Sequence, residues 1–150
     1  MIKILFVCHG NICRSPMAEL MLKKKVKELG ISDKFEISSC ATSTEELGNP
    51  VYPPAKAELL KHGITCEGKY AVQMKKDDYN RYDLIIAMDS YNIRNMYRII
   101  GEDKYNKVHK LMEYAGSDED VSDPWYCGNF DMTYEDIEKG LDGLLKTLDF

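Results

Sequence analysis

The 150-residue chain contains no apolar run close to the ~18 residues that a membrane-spanning helix needs. The apolar start, Met1–Val7, is too short and too poorly flanked for a signal peptide. A cytoplasmic location without membrane contact is therefore expected. Positive charge is in deficit, with 20 Lys+Arg against 25 Asp+Glu and a net charge of −5. No basic patch of the nucleic-acid-binding kind stands out. The one cationic run, Lys23-Lys24-Lys25, reads as the solvated face of a helix, so no nucleic-acid partner is expected. Nothing repeats at a solenoid period, and no segment is low in complexity. Five cysteines is an odd number, which argues against a secreted disulfide framework and for thiol chemistry. Cys8, His9 and Cys13 have no second Cys/His cluster to complete a closed zinc site, so no metal or other cofactor is expected. With 44% hydrophobic and 30% charged residues, the balance is that of an ordinary globular protein. The length suits one domain over residues 1–150, and a monomer is expected.

Two kinds of apolar segment alternate along the chain. Residues 2–7, 35–40, 83–88 and 108–112 are short and rich in β-branched or aromatic residues, as buried strands are. Residues 17–29, 55–62, 90–100 and 134–148 have helical character, and Gly30, Gly63 and Gly101 follow the first three as stop signals. This alternation implies a four-stranded parallel sheet with right-handed crossovers and helices on both faces, a three-layer α/β fold. Ligands bind such sheets beyond the carboxyl ends of the strands. The eight methionines are expected mostly in the core, and Tyr105 and Tyr114 at the surface.

The first loop to follow a strand reads Cys8-His9-Gly10-Asn11-Ile12-Cys13-Arg14-Ser15, with Pro16 behind it. Pro16 suits the first position of a helix, and Ser15 suits its N-cap. Gly10 and Asn11 tolerate left-handed backbone angles, so the chain can curl there. Such a curl turns successive amide N–H groups into one anion nest at a helix N-terminus. Arg14 adds a planar fork able to hold two oxygens of one phosphate. Cys8 lies at the rim of the nest, where the helix end and Arg14 favour the nucleophilic thiolate. Residues 9–15 are thus the expected phosphate cradle, and the same groups would stabilise the equatorial oxygens during in-line transfer to sulfur.

Displacing an alkoxide or phenoxide calls for a general acid. Asp123 in Ser122-Asp123-Pro124-Trp125-Tyr126 is the best candidate: Pro124 stiffens the segment, and Trp125 and Tyr126 can wall an aryl pocket. Asp118, Glu119 and Asp120 read as a solvated run. Cys13 is five positions from Cys8, and a reversible disulfide between them would protect the nucleophile from deeper oxidation. Cys40, Cys66 and Cys127 read as unpaired structural residues. Asp89 reads as the N-cap of the next helix, with a brace to the phosphate loop left open.

The combination of an N-terminal Cys-x5-Arg-Ser loop with a distal Asp-Pro-aromatic-aromatic segment resembles the low-molecular-weight protein tyrosine phosphatases. His62-Gly63-Ile64, Tyr82–Asp89 with Asn92, and Gly128-Asn129-Phe130 extend the similarity over nearly the whole chain. The resemblance implies phosphotyrosine hydrolysis, with small aryl phosphates also accepted, through a phosphocysteine on Cys8. Arg14 is then the phosphate ligand and Asp123 the proton donor. Asn11 and Ser15 hold the loop and steady the thiolate, and Trp125 and Tyr126 form the aromatic wall. Some positions depart from the family pattern. His9 stands where Leu or Thr is common and is expected on the exposed rim. Glu45 or Glu46 stands where members place a second aromatic, which should disfavour acidic phosphopeptides. Ala71-Val72-Gln73 replaces the common Ala-Arg-Gln. Two other reactions occur on this scaffold. Arsenate reduction needs relay cysteines after the central strand, and residues 83–112 have none. Phosphoarginine hydrolysis goes with Thr at the position of Ile12, whose apolar side chain suits an aryl group better. A non-catalytic phosphate-binding module would need neither a thiolate nor an acid.

Overall fold

A computed structural model describes residues 1–150. Four parallel strands, β1 (Ile2–Cys8), β2 (Phe35–Ala41), β3 (Leu84–Ala87) and β4 (Val108–Lys110), form one sheet in the order β2-β1-β3-β4. β1 is buried on both faces, which is why its sequence is continuously apolar rather than alternating. Side chains of one strand point to opposite faces in turn. Ile4, Phe6 and Cys8 therefore join a core with Met17, Met21 and Leu22 of α1 (Arg14–Glu28) and Ile137, Leu141 and Leu144 of α6 (Phe130–Thr147). Ala55 and Leu59 of α2 (Pro53–Lys61) complete that layer. Leu5 and Val7 point the other way, toward Tyr79 of α3 (Asp78–Arg81) and Met96 and Ile100 of α4 (Ser90–Ile100). The three-layer expectation holds.

β4 is shorter than its apolar pattern suggests. Leu111 and Met112 leave the sheet in a 3-10 turn, Leu111–Ala115, and bury themselves in the core layer shared with α6. Apolar periodicity signals burial but not the partner, and here a helix takes the place of a neighbouring strand. The approach is close because two helix positions lack side chains. A Cβ on Gly140 would lie 2.5 Å from Leu111 Cγ, and one on Gly143 would lie 1.8 Å from the Tyr114 carbonyl oxygen. Glycine costs a helix interior about 1 kcal/mol relative to alanine. At position 143 that preference should reverse. Gly143→Ala is expected to destabilise the protein by about 3 kcal/mol, the upper end for overpacking, visible as a lowered midpoint in denaturant unfolding.

Tyr114 packs partly against the same core, and burial pushes its hydroxyl up to about 12, whereas Tyr105 is exposed. His62 ends α2 as foreseen and also stacks on Tyr134, with ring centroids 3.7 Å apart. α6 starts four residues earlier than its apolar stripe, at Phe130, where Asn129 caps it by accepting the Met132 N–H at 3.0 Å.

In this strand order the chain leaves β1 toward β2 and later returns to the other side of β1 as β3. The loops after β1 and β3 consequently diverge, and a crevice opens beyond their carboxyl ends. The loop at residues 9–13 and the residue Asp89 face each other there.

Candidate active site

The loop after β1 curls as its residue types predict, with a change of detail. Asn11 alone takes the left-handed conformation, at φ 58°, and Gly10 does not. Gly10 packs closely: a Cβ there would meet Glu46 Cγ at 3.3 Å, and that side chain would have to shift slightly. The helix begins at Arg14, and Ser15 is not its cap. The Ser15 hydroxyl is fully buried and lies 2.9 Å from Cys8 Sγ. It also accepts from Asn11 Nδ2 at 2.8 Å, which leaves its own proton to donate toward the sulfur. The Asn11 N–H approaches the same sulfur at 3.3 Å. Two donors thus converge on Cys8 Sγ, an arrangement that suits an anionic sulfur. The N–H groups of Gly10, Ile12, Cys13, Arg14 and Ser15 donate to no protein acceptor. Cys13, Arg14 and Ser15 head α1, where helix N–H groups have no intrahelical partner, and with Gly10 and Ile12 they form a run of free donors beside Cys8 of the kind that suits an anion.

Asn11 is 1% exposed and fully used. Besides Ser15 it donates to Ser39 Oγ at 2.9 Å, and its Oδ1 accepts the Val72 N–H at 3.1 Å. Ser39 in turn donates to Glu19 Oε1 at 2.6 Å. Glu19 projects from α1 into the interior, where burial opposes its charge, yet Lys69 and Lys23 hold its carboxyl below the usual range. The roles of Asn11 and Ser15 around Cys8 were implied by the family resemblance, whereas the extension through Ser39 to Glu19 was missed in the sequence. Its one visible signal is an acid inside the apolar run Met17–Leu22.

Arg14 is also buried, and its guanidinium reaches Asp89 Oδ2 at 2.8 Å, the Val121 carbonyl at 3.2 Å and Asp123 Oδ2 at 3.4 Å. Burial opposes the charge, but Cys8, Asp89 and Asp123 outweigh it and drive the group further toward protonation. Asp89 serves two elements. Its Oδ1 accepts the Asn92 N–H at 2.7 Å, and the Asn92 side chain returns a bond to the Asp89 N–H, a reciprocal cap on α4. The brace left open by the sequence is therefore present. Cys13 stands in the cap position of α1, and burial foremost, with the nearby Cys8, lifts its thiol to about 12.

Asp123 precedes the short α5 (Pro124–Cys127) and accepts the Trp125 N–H at 3.0 Å. The cleft of about 790 Å3 over Cys8 has Trp125 and Tyr126 on its wall. Trp125 leans on Tyr52, with centroids 5.1 Å apart, and Tyr52 packs on the small cluster around Ile12 and Cys13. Tyr91 and Asn95 of α4 line the same cleft and were not foreseen. Glu45 and Glu46 stand on its rim, as does His9, whose Nε2 lies 3.1 Å from Glu45 Oε2. The imidazole is half exposed and held by that carboxylate, in keeping with a rim residue. Cys40 and Cys66 are buried, whereas Cys127 is exposed. No helix is long and apolar enough to cross a membrane.

The sequence matches the model of the low molecular weight phosphotyrosine protein phosphatases over residues 3–150. It is 35% identical to the low molecular weight protein-tyrosine-phosphatase YfkJ of Bacillus subtilis, covering 99% of this chain and 96% of that protein. A low molecular weight phosphotyrosine protein phosphatase of Schizosaccharomyces pombe is 40% identical over 131 residues, which is 85% of this chain and 83% of that one. The crystal structure of YfkJ superposes with a TM-score of 0.94, over 99% of this chain and 95% of that one. The thiol under its amide cradle therefore comes with full-length kinship, and the chain belongs to the low molecular weight phosphotyrosine protein phosphatase family.

Proposed function

We infer that the protein is a phosphatase that hydrolyses phosphotyrosine, and small aryl phosphates with it, through a cysteinyl-phosphate intermediate. The observation that carries the reading is the run of unpaired loop amides beside Cys8, with Arg14 buried at their edge. A dianionic phosphoryl group satisfies those donors, and the guanidinium balances its charge. Sulfur then stands behind phosphorus, in line with the leaving oxygen. As the sulfur–phosphorus bond forms and the phosphorus–oxygen bond breaks, Asp123 gives its proton to the departing phenoxide. The resulting carboxylate takes a proton from water, and the hydroxide displaces Cys8 from phosphorus. The cradle and Arg14 supply the positive field for both steps, so no metal ion is required. Trp125, Tyr126 and the apolar Ile12 suit a phenyl ring. The reading includes a reversible disulfide between Cys13 and an oxidised Cys8, supported by their five-residue spacing in one curled loop and slowed by the burial that lifts the Cys13 thiol to about 12, since the thiolate is the attacking form. A monomer located in the cytoplasm fits this reading.

The discriminating experiment compares turnover of phosphotyrosine and phosphoarginine peptides of one sequence. The aryl ester is expected to be hydrolysed faster by at least tenfold, since an apolar pocket wall favours the ring by about 1–3 kcal/mol. Preference for phosphoarginine would overturn the substrate assignment. The acidic rim predicts a second outcome. Replacing Glu45 and Glu46 together by Lys should raise kcat/KM for phosphopeptides with acidic flanks by about three- to tenfold and lower it for basic ones. Added salt should shrink both effects, because surface charges are screened.

A further inference from the structure

The residue before the acid is held more firmly than the acid itself. Ser122 lies outside any helix or strand, yet all its polar groups are engaged by α6. Its N–H donates to Asp136 Oδ2 at 3.0 Å, and its hydroxyl donates to the same oxygen at 2.8 Å. Its carbonyl accepts from Thr133 Oγ1 at 3.0 Å, and Thr133 is fully buried. Val121, one residue earlier, is fixed through the Met88 carbonyl and Arg14. Asp123 itself has a side chain 33% exposed, bonded to the Trp125 N–H and to Arg14 at 3.4 Å. The ion pairs that α6 makes elsewhere come from Asp131, Glu138 and Asp142, not from Asp136. Asp136 is thus a half-buried carboxylate that spends one oxygen on both donors of a single serine.

A proton donor must come within about 2.6–3.2 Å of the leaving oxygen, and an error of about 1 Å in such placement costs up to roughly 10²-fold. The backbone at Ser122 decides where the Cα of Asp123 sits. The geometry points to Asp136 as a positioning residue for proton delivery: through Ser122 it sets the approach of Asp123 to the leaving oxygen and touches no substrate. This inference rests on the reading of Asp123 as the acid.

The test compares kcat/KM on 4-nitrophenyl phosphate, whose leaving group departs unaided, with phenyl phosphate, whose leaving group needs a proton. Inhibition by inorganic phosphate and thermal midpoints are measured alongside. Asp136→Ala is expected to lose about tenfold more on phenyl phosphate than on the nitrophenyl ester, with phosphate inhibition unchanged within twofold. Asp136→Asn keeps an oxygen for both Ser122 donors and should recover most of the loss. Ser122→Ala removes only the hydroxyl bond and should fall between the two; it also serves if Asp136→Ala does not fold. Equal losses on both esters, weakened phosphate inhibition in step with activity, or an Asn variant as poor as the Ala variant would each overturn the inference. Asp123→Asn is assayed in parallel. If that variant shows leaving-group dependence and Asp136→Ala does not, only the positioning role fails. If Asp123→Asn shows none, the acid assignment fails and the positioning role with it.

Discussion

Cys8→Ser should reduce turnover of aryl phosphates by roughly 10⁴-fold or more, the scale seen when a nucleophile is removed from a preorganised site. The hydroxyl of serine is far less acidic than a thiol, and the cradle has no base to activate it. The buried groups around position 8 belong to other residues: Ser15 is fixed by Asn11, and Arg14 by Asp89 and the Val121 carbonyl. Oxyanion binding should therefore survive. Inorganic phosphate is expected to raise the thermal midpoint of the variant at least as much as that of the parent, since ligand binding to the folded state stabilises it by mass action. Steady-state turnover by the variant within about a hundredfold of the parent would remove Cys8 from the nucleophile's role.

Asp123→Asn should cost about 10²–10⁴-fold in kcat/KM on phenyl phosphate, the usual worth of general acid catalysis. The loss should be much smaller on 4-nitrophenyl phosphate. In the free protein the Arg14 guanidinium holds the Asp123 carboxylate at 3.4 Å. Under the proposed mechanism an incoming phosphate dianion would compete for that guanidinium, leaving the carboxyl free to take up a proton from solvent and turn toward the leaving oxygen. Asparagine can keep the bond to the Trp125 N–H but has no proton of suitable acidity to give. A uniform loss across leaving groups would point to a role in binding alone.

Most of the candidate site's arrangement was legible because it lies in one contiguous loop. Cys8, Asn11, Arg14 and Ser15 sit between a strand and a helix, and local residue types report local curvature. Asp123 was legible through Pro124 and the aromatics that follow. The second layer of the site was less so. Asp89 was visible as a cap, but its second oxygen on Arg14 depends on how β3 lies beside β1. Tyr91 comes from α4 and Tyr52 and Lys69 from connecting segments, and only packing brings them to the cleft, to Trp125 and to Glu19 respectively. The Ser15 error has a physical root. A serine before Pro looks like a cap, but Ser15 already lies inside the first turn of α1, and its fully buried hydroxyl faces the Cys8 sulfur. The β4 error has another: Leu111 and Met112 are as apolar as strand residues, and only the two bare positions on α6 explain the bend.

β1 has hydrogen-bonded neighbours on both sides, whereas α5 is four residues long and carries the exposed Trp125 and Tyr126. These are opposite ends of the range of local opening free energies in a folded chain. The thiol ends a central strand whose amides are expected to exchange late with solvent, and the acid borders a short helix expected to open early. Local opening at α5 is therefore expected to separate the two halves of the proposed reaction: the phosphate grip of the loop after β1 would outlast proton delivery.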